Sequence, residues 1–290
     1  MTAPDPRIAE LASRPRTSPP LVMLTAYDFG SARIADAAGV DLVLVGDSAA
    51  TVMLGLSSTR DISLDELLML TRAARRGTTN ALLVGDLPFG SYESSDAQAV
   101  ATARGFGEAG CDLVKVEGAV ALPRVRAIIA SGMPVIGHVG LLPQGAATPA
   151  DLRARGRIAD EALAIVGGAV ALAGAGCSAV VVEAVPSPVA EAISIRIAIP
   201  VIGIGAGAAV GGQVLVYHDL LGLGDGRTPK FVRPYASLRN DAIAAVRAYA
   251  SDVRARRFPT RSEEYGMPEA ERVAFEERVA SEFPGPAMRA

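Results

Sequence analysis

The residues best able to do chemistry sit at the ends of apolar runs. "DLVLVGDS" (41–48) closes on Asp47 and Ser48, and "ALLVGD" (81–86) closes on Asp86. "LVKVEG" (113–118) carries Lys115 and Glu117, which share one face of a strand by period two. His138 lies between glycines in "PVIGHVG", and Glu183 follows three valines in "VVVEAVP". Several acids without a Cys/His cluster favour a hard, oxygen-ligated cation such as Mg2+. A cation, a lysine and a separate base form a kit for enolising a 2-oxo acid. The cation chelates the keto and carboxylate oxygens as charge develops, while the base removes a proton. Glu183 suits the base, because desolvation behind three valines is expected to raise the pKa of a lone carboxylate.

Each group also has a structural reading. Asp47 and Ser48 suit a helix N-cap equally well. Asp86 is followed by the turn "LPFG", which capping explains less well. Lys115 and Glu117 read alternatively as a satisfied buried ion pair, and His138 as a core histidine bonded to a carbonyl. His218 and Asp219 are read mainly as structural. "GIGAGA" (203–208) formally matches a dinucleotide fingerprint, but too few residues separate it from the next strand for a crossover helix. A tight turn, or a small anion-binding turn, fits better.

Eight short β-rich runs must position these groups: 22–28, 41–47, 81–86, 113–118, 134–140, 179–185, 200–207 and 214–219. Most are separated by segments of helical periodicity ending in glycine, such as "DELLMLTRAARRG". Near-continuous apolarity marks strands covered on both faces. Repeated strand–helix alternation predicts a (β/α)8 TIM barrel rather than a doubly wound open sheet, with its active site at the C-terminal strand ends. Asp47, Asp86, Glu117, His138, Glu183 and His218 would all then lie at or near one rim.

The chain has 290 residues, half of them apolar and 4% aromatic, so a large core is built from Ala, Val, Leu and Ile. A net charge of −3, spread along the chain, excludes the basic patch of a nucleic-acid surface. Cys111 and Cys177 lack a metal or disulfide spacing and read as small core residues. Residues 1–20 read as a flexible arm with no secretory signal, 21–256 as the barrel with a terminal helix over 236–256, and 257–290 as a charged tail. Ile165–Val182 imitates a membrane span, but "GAG" at 174–176 reads as a helix end before a new strand. A soluble, cytoplasmic protein is expected.

The motifs "TAYD", "VGDS", "DLPF", "VKVEG", "GHVGL.PQ", "VVVEAVP", "PVIGIGAG" and "GQVLVYHD..G" occur in one order between Leu21 and Phe258. In this the chain resembles the ketopantoate hydroxymethyltransferase family of the phosphoenolpyruvate/pyruvate barrel superfamily. The resemblance implies that Asp47 and Asp86 bind Mg2+ with Glu117 as a further metal-site residue. It also implies that Asp47, Ser48, Asp86, Lys115 and His138 hold the 2-oxo acid, and that Glu183 is the proton acceptor. The implied reaction moves a hydroxymethyl group from 5,10-methylenetetrahydrofolate to 3-methyl-2-oxobutanoate, giving 2-dehydropantoate for pantothenate synthesis. Homo-oligomers, commonly decamers, are implied as well.

The chain departs from the family around these residues. "GGYKVQGR" reads "ADLRARGR", the threonine of "GLTPQ" is Leu142, and the aspartate before "GQVLV" is Gly211. "SLG" is "SAA" (48–50), "STLPV" is "STRDI" (58–62), and the histidine of "EEHSF" is Tyr265. Changed substrate or folate recognition is therefore expected at loop 141–157. The rival readings are a paralogue acting on another 2-oxo acid, a carbon–carbon lyase, and a non-catalytic relative. The last fits poorly with an intact set of buried charges.

Overall fold

The computed structural model describes residues 5–119, 122–146, 148–224 and 228–283. In chain order the elements begin with α1 (Pro6–Ala12), β1 (Leu21–Thr25), α2 (Phe29–Ala37), β2 (Leu42–Val45), α3 (Ala49–Val52), α4 (Leu64–Gly77), β3 (Leu82–Asp86), α5 (Asp96–Glu108) and β4 (Leu113–Glu117). They continue with α6 (Leu122–Ala130), β5 (Val135–Gly140), α7 (Ala159–Gly174), β6 (Ala179–Glu183), α8 (Ser187–Arg196), β7 (Val201–Ile204), β8 (Gly212–Leu215) and α9 (Tyr217–Leu221). The eight strands pair in parallel, in sequence order, and close β8 onto β1. This is the expected (β/α)8 barrel.

The pleat sorts side chains into two cores. Leu21, Met23, Leu42, Leu44, Leu82, Val84, Leu113, Ile136 and Val181 fill the barrel interior, while residues of the other parity pack against the helices. Following the inward parity upward replaces hydrocarbon with polar groups: Leu82 and Val84 lead to Asp86, and Leu113 leads to Lys115 and Glu117. Ile136 leads to His138, and Ala179 and Val181 lead to Glu183. Parallel register then sets Asp86 beside Lys115, Glu117 beside His138, and Gly140 beside Glu183.

Several elements differ from expectation. Residues 6–12 are a helix rather than a loose arm. Asp5 caps its N-terminus, Pro6 suits its first turn, and buried Leu11 joins the barrel-interior core. Residues 1–4 of the arm lie outside the described residues. The last strand runs over 212–215, not 214–219. It begins early because Gly212 pairs with Leu21, where a Cβ would meet the Leu21 carbonyl oxygen at 2.8 Å. It ends early because the Tyr217 N–H bonds Thr25 Oγ1 and starts α9, which closes on left-handed Gly222. His218 is thus on a helix, not on a strand rim.

No helix joins β7 to β8. Residues 205–211 turn through Gly205 and Gly207, both at positive φ, so "GIGAGA" is a turn. The Ile165–Val182 stretch is the end of α7, a left-handed Gly176 and β6, and no helix among the described residues is long and apolar enough to cross a membrane. Cys111 and Cys177 are buried and free.

The chain divides into two compact units, residues 1–237 and 238–290. The second unit holds α10 (Leu238–Arg254) and α11 (Glu269–Glu282), so the division falls before the terminal helix rather than after it. In α11, Arg272 pairs with Glu269 and Glu276, and Arg278 with Glu282, giving helical order within the segment read as a charged tail. Residues 284–290 lie outside the described residues.

Candidate active site

Asp86, Lys115, Glu117 and His138 are all buried at the C-terminal end of the barrel interior. Lys115 Nζ donates to both oxygens of Asp86, at 2.6 and 2.7 Å, and lies 3.5 Å from Glu117 Oε1. Its principal partner is therefore Asp86, not the Glu117 of its own strand. Burial alone would lower the Lys115 pKa. Asp86, Glu117 and Asp47 outweigh it and hold the ammonium far above the ordinary lysine range.

Asp47 is buried beside this pair. Its backbone N–H donates to Asp86 Oδ2 at 3.2 Å, but its own Oδ2 has no hydrogen-bond partner. Burial raises its pKa well above normal, and the charges of Asp86 and Glu117 push it further. Neither Asp47 nor Ser48 acts as a helix cap. Ser48 stands at the N-terminus of α3 without a capping bond, and its Oγ instead lies 2.9 Å from the Tyr27 hydroxyl. The even choice between cap and site residue is thus resolved against the cap.

His138 bridges two carboxylates. Nδ1 lies 3.2 Å from Glu117 Oε1, and Nε2 lies 3.3 Å from Glu183 Oε2, close enough for charge attraction but without hydrogen-bond alignment. Burial opposes protonation, yet Glu117 and Glu183 prevail and push the imidazole up to about 9. Glu183 is consequently not the lone desolvated acid expected from its valines: its side chain is 17% exposed and it faces His138. The glycines around His138 have separate uses. Gly137 admits Leu172 of α7, and Gly140, at φ +97°, lets β5 approach the Glu183 carbonyl, which a Cβ would meet at 2.3 Å.

Two predictions follow from this bridge. A histidine raised in the folded state stabilises fully below its unfolded value near 6.5, and that contribution is lost as pH rises through about 9. In chelator-treated protein, NMR should show one ring titrating near 9 and the other, His218, below 6.5, where burial lowers it despite Asp28. An assigned His138 midpoint at or below 6.5 would refute the bridge. Gly140→Ala should cost roughly 1–3 kcal/mol by thermal unfolding and should displace Glu183, because both φ and the available space forbid a side chain. Wild-type stability and activity in that variant would show the approach to be dispensable.

Sequence reasoning missed Gln144, Tyr92 and Tyr27. Buried Gln144 donates its N–H to Glu117 Oε2 at 3.1 Å and its Nε2 to the Leu87 carbonyl at 2.9 Å, and its Oε1 accepts from Tyr92 at 3.0 Å. Gln144 and Tyr27 stand inside the motifs "GHVGL.PQ" and "TAYD", which was the available signal. Tyr92 had none. Gln144 and Tyr92 adjoin a cavity of about 350 Å3 that opens beside Glu117 and is also walled by Phe89, Pro123 and Leu142. His218 packs against Tyr27 and Tyr217.

A family model described as Ketopantoate hydroxymethyltransferase matches residues 6–261. The chain belongs to this family. It is 47% identical, over 97% of its length and 96% of the relative's, to 3-methyl-2-oxobutanoate hydroxymethyltransferase of Oleidesulfovibrio alaskensis. It is also 47% identical to the Deinococcus radiodurans protein of the same name, over 91% of this chain and 93% of the relative. As a member of the ketopantoate hydroxymethyltransferase family, the protein is an enzyme and a transferase. Similar solved structures include a 2,3-dimethylmalate lyase (TM-score 0.58, 14% identity, covering 96% of this chain and 100% of that one). A phosphonopyruvate hydrolase solved with oxalate and Mg2+ also matches (TM-score 0.58, 13% identity, covering 96% and 99%). At such identities they share the barrel alone, so the lyase reading gains only a fold.

Proposed function

We propose that the enzyme transfers a hydroxymethyl group from 5,10-methylenetetrahydrofolate to 3-methyl-2-oxobutanoate, forming 2-dehydropantoate, with Mg2+ bound at Asp47 and Asp86. The observation that carries the reading is the buried Asp47 carboxylate, whose Oδ2 has no partner although two further acids crowd it. A hard cation satisfies that oxygen and relieves the crowding. Among the described residues no three His, Cys, Asp or Glu side chains form a ready-made metal cage. That fits Mg2+, which is usually held by one or two carboxylates and completed by water and substrate oxygens. Glu117 belongs close to the metal, with His138 and the Gln144 N–H holding its two oxygens. When bound, Mg2+ supplies Lewis-acid stabilisation of the charge that develops on the keto oxygen.

The remaining chemistry falls to the protein. Lys115 stays cationic and offers positive charge to the acid's anionic oxygens, while Ser48 offers a hydroxyl. Glu183 removes the C3 proton, and the electron pair moves into the C2–C3 bond. Water adds to the methylene carbon of the folate, and its two C–N bonds break to give tetrahydrofolate and formaldehyde. C3 attacks the formaldehyde carbon, whose oxygen becomes the new hydroxyl by taking up the proton that Glu183 removed. The imidazolium of His138 faces Glu183, keeps its charge compensated and fixes its position. The cavity beside Glu117, with aromatic walls from Phe89 and Tyr92, suits the flat ring of the one-carbon carrier and lies within the usual range for small-molecule sites. A homo-oligomeric, decameric and cytoplasmic enzyme completes the proposal.

Enzyme, Mg2+ and 3-methyl-2-oxobutanoate in D2O should exchange the C3 hydrogen, and added methylenetetrahydrofolate should yield 2-dehydropantoate. Exchange that is absent, or that survives chelation undiminished, would overturn the reading. Two departures from the family converge on the cavity: Arg60 stacks on Phe89 at 3.9 Å, and Leu142 forms part of the wall. Residue 147 of the divergent loop 141–157 lies outside the described residues. A panel of 2-oxo acids of different branching is expected to show turnover beyond 3-methyl-2-oxobutanoate, narrowed by Leu142→Thr. Strict preference with ordinary folate saturation would make these replacements neutral.

A further inference from the structure

A second cavity, of about 390 Å3, adjoins the one beside Glu117 and has no part in the reaction above. Leu142 and Gly145 wall both cavities. Gly145 keeps their shared rim low, since a Cβ there would meet nothing nearer than Leu142 Cβ at 3.9 Å. Ala119, Val139, Leu142 and Ile165 give the second cavity apolar walls, to which Arg155 and Glu161 add opposite charges.

The backbone fixes where Arg155 stands. Its N–H donates to the Ala184 carbonyl at 2.9 Å, one residue beyond Glu183. Gly156, at φ +70°, turns the chain against α7, where a Cβ would meet Ile165 Cδ1 at 3.0 Å. The Gly156 N–H donates to Glu161 Oε2 at 2.7 Å, which occupies one oxygen of that carboxylate. Arg153 and Arg157, on the same loop, are exposed, whereas Arg155 is half-buried. Its guanidinium makes a long bond, 3.4 Å, to the Asp151 carbonyl, and among the described residues no carboxylate pairs with it. A partly desolvated guanidinium with donors to spare is a fork for a carboxylate.

We propose that this cavity is the subsite for the carboxylated end of the one-carbon carrier, with Arg155 pairing with a glutamate carboxylate of 5,10-methylenetetrahydrofolate. The inference rests on the methylenetetrahydrofolate reading above. With the carrier's flat ring in the cavity beside Glu117, its tail passes the low rim at Gly145 into the neighbouring one. The tail's chemistry then matches the walls: the benzoyl ring suits the apolar side chains, the amide N–H the second oxygen of Glu161, and the carboxylates Arg155. Arg155 stands where "GGYKVQGR" has glutamine, so this positive charge distinguishes the chain from the family pattern.

The test measures 2-dehydropantoate formation by the Mg2+-loaded enzyme, resolved into kcat and the KM of the carrier, beside folate-free C3 exchange. Arg155→Gln should raise the carrier KM about tenfold, as loss of a charge-assisted bond does, and change kcat by less than about threefold. C3 exchange, which needs no carrier, should keep its parental rate. A carrier with both glutamate carboxylates esterified should show about the same raised KM in the parent, and Arg155→Gln should add nothing to it. Ala164→Phe puts a ring into the cavity from the exposed side of α7 and should raise KM for the acid and the ester alike. A parental carrier KM in Arg155→Gln, or an equal further rise with the ester, overturns the inference. Should Arg155→Gln fail to fold, the parent decides: equal KM values for acid and ester overturn it. Parental protein that exchanges C3 and makes 2-dehydropantoate while the variants match it leaves the proposed reaction standing without this subsite. Parental protein that makes no 2-dehydropantoate from the carrier removes both.

Discussion

Glu183→Gln is expected to exchange the C3 hydrogen of 3-methyl-2-oxobutanoate about 10²–10⁴-fold more slowly than the parent, the usual cost of losing a general base. The geometry isolates this effect. Glu183 belongs to neither the Asp86–Lys115 pair nor the Asp47 position, so Mg2+ binding should persist in the variant. The amide is nearly isosteric and is still able to face His138, which limits structural damage. Exchange without folate reads proton removal alone, uncoupled from carbon–carbon bond formation. Parental exchange in Glu183→Gln would move the base elsewhere. His138, 3.3 Å away, would be examined next through its neutral form at high pH.

Asp47 and Asp86 are expected to respond in opposite directions when stability is measured, although either replacement should abolish Mg2+-dependent turnover. Asp86→Ala strands the Lys115 ammonium in the interior without its main partner, and breaking a buried pair in this way costs about 3–5 kcal/mol. Asp47 has no such partner. Its folded pKa is raised above the unfolded value, so its ionisation opposes folding; the penalty is fully present above the raised pKa and disappears as pH falls below the unfolded one. Asp47→Asn should therefore melt at a higher temperature than the parent at neutral pH in chelator, and should lose the stabilisation that Mg2+ gives the parent. A lower chelator-treated melting temperature for Asp47→Asn would show that its carboxylate is satisfied by the protein. Active, Mg2+-responsive Asp86→Ala would sink the proposed metal site.

The barrel and its rim were legible because both depend on the chain's local pattern. Apolar runs ending in Asp47, Asp86, Glu117 and Glu183 carry their own direction, and a parallel barrel turns every such end the same way. What stayed hidden depends on neighbours distant in the chain. Lys115 was paired on paper with Glu117, two residues away, whereas parallel register put Asp86 beside it. Glu183 looked isolated because nothing in "VVVEAVP" announces His138 on the preceding strand, β5. The extent of β8 was misjudged because "VLVYHD" is β-rich throughout, while its end is set by a hydroxyl on β1. The helix at 269–282 was missed for another reason: prolines and charge suggested a tail, although Glu and Arg at helical spacing were there to be counted.

The missing crossover between β7 and β8 bears on how the barrel breathes. β8 holds β1 through four registered positions but β7 through only two, and no helix bridges residues 205–211 to brace the joint. A closed ring of strands loosens first where its pairing is shortest, and small openings of this kind cost much less than global unfolding. The β7–β8 seam is thus the ring's clasp. Because β8 stays paired with β1 on the other side, a transient opening at the clasp leaves the Tyr217 N–H bonded to Thr25 Oγ1.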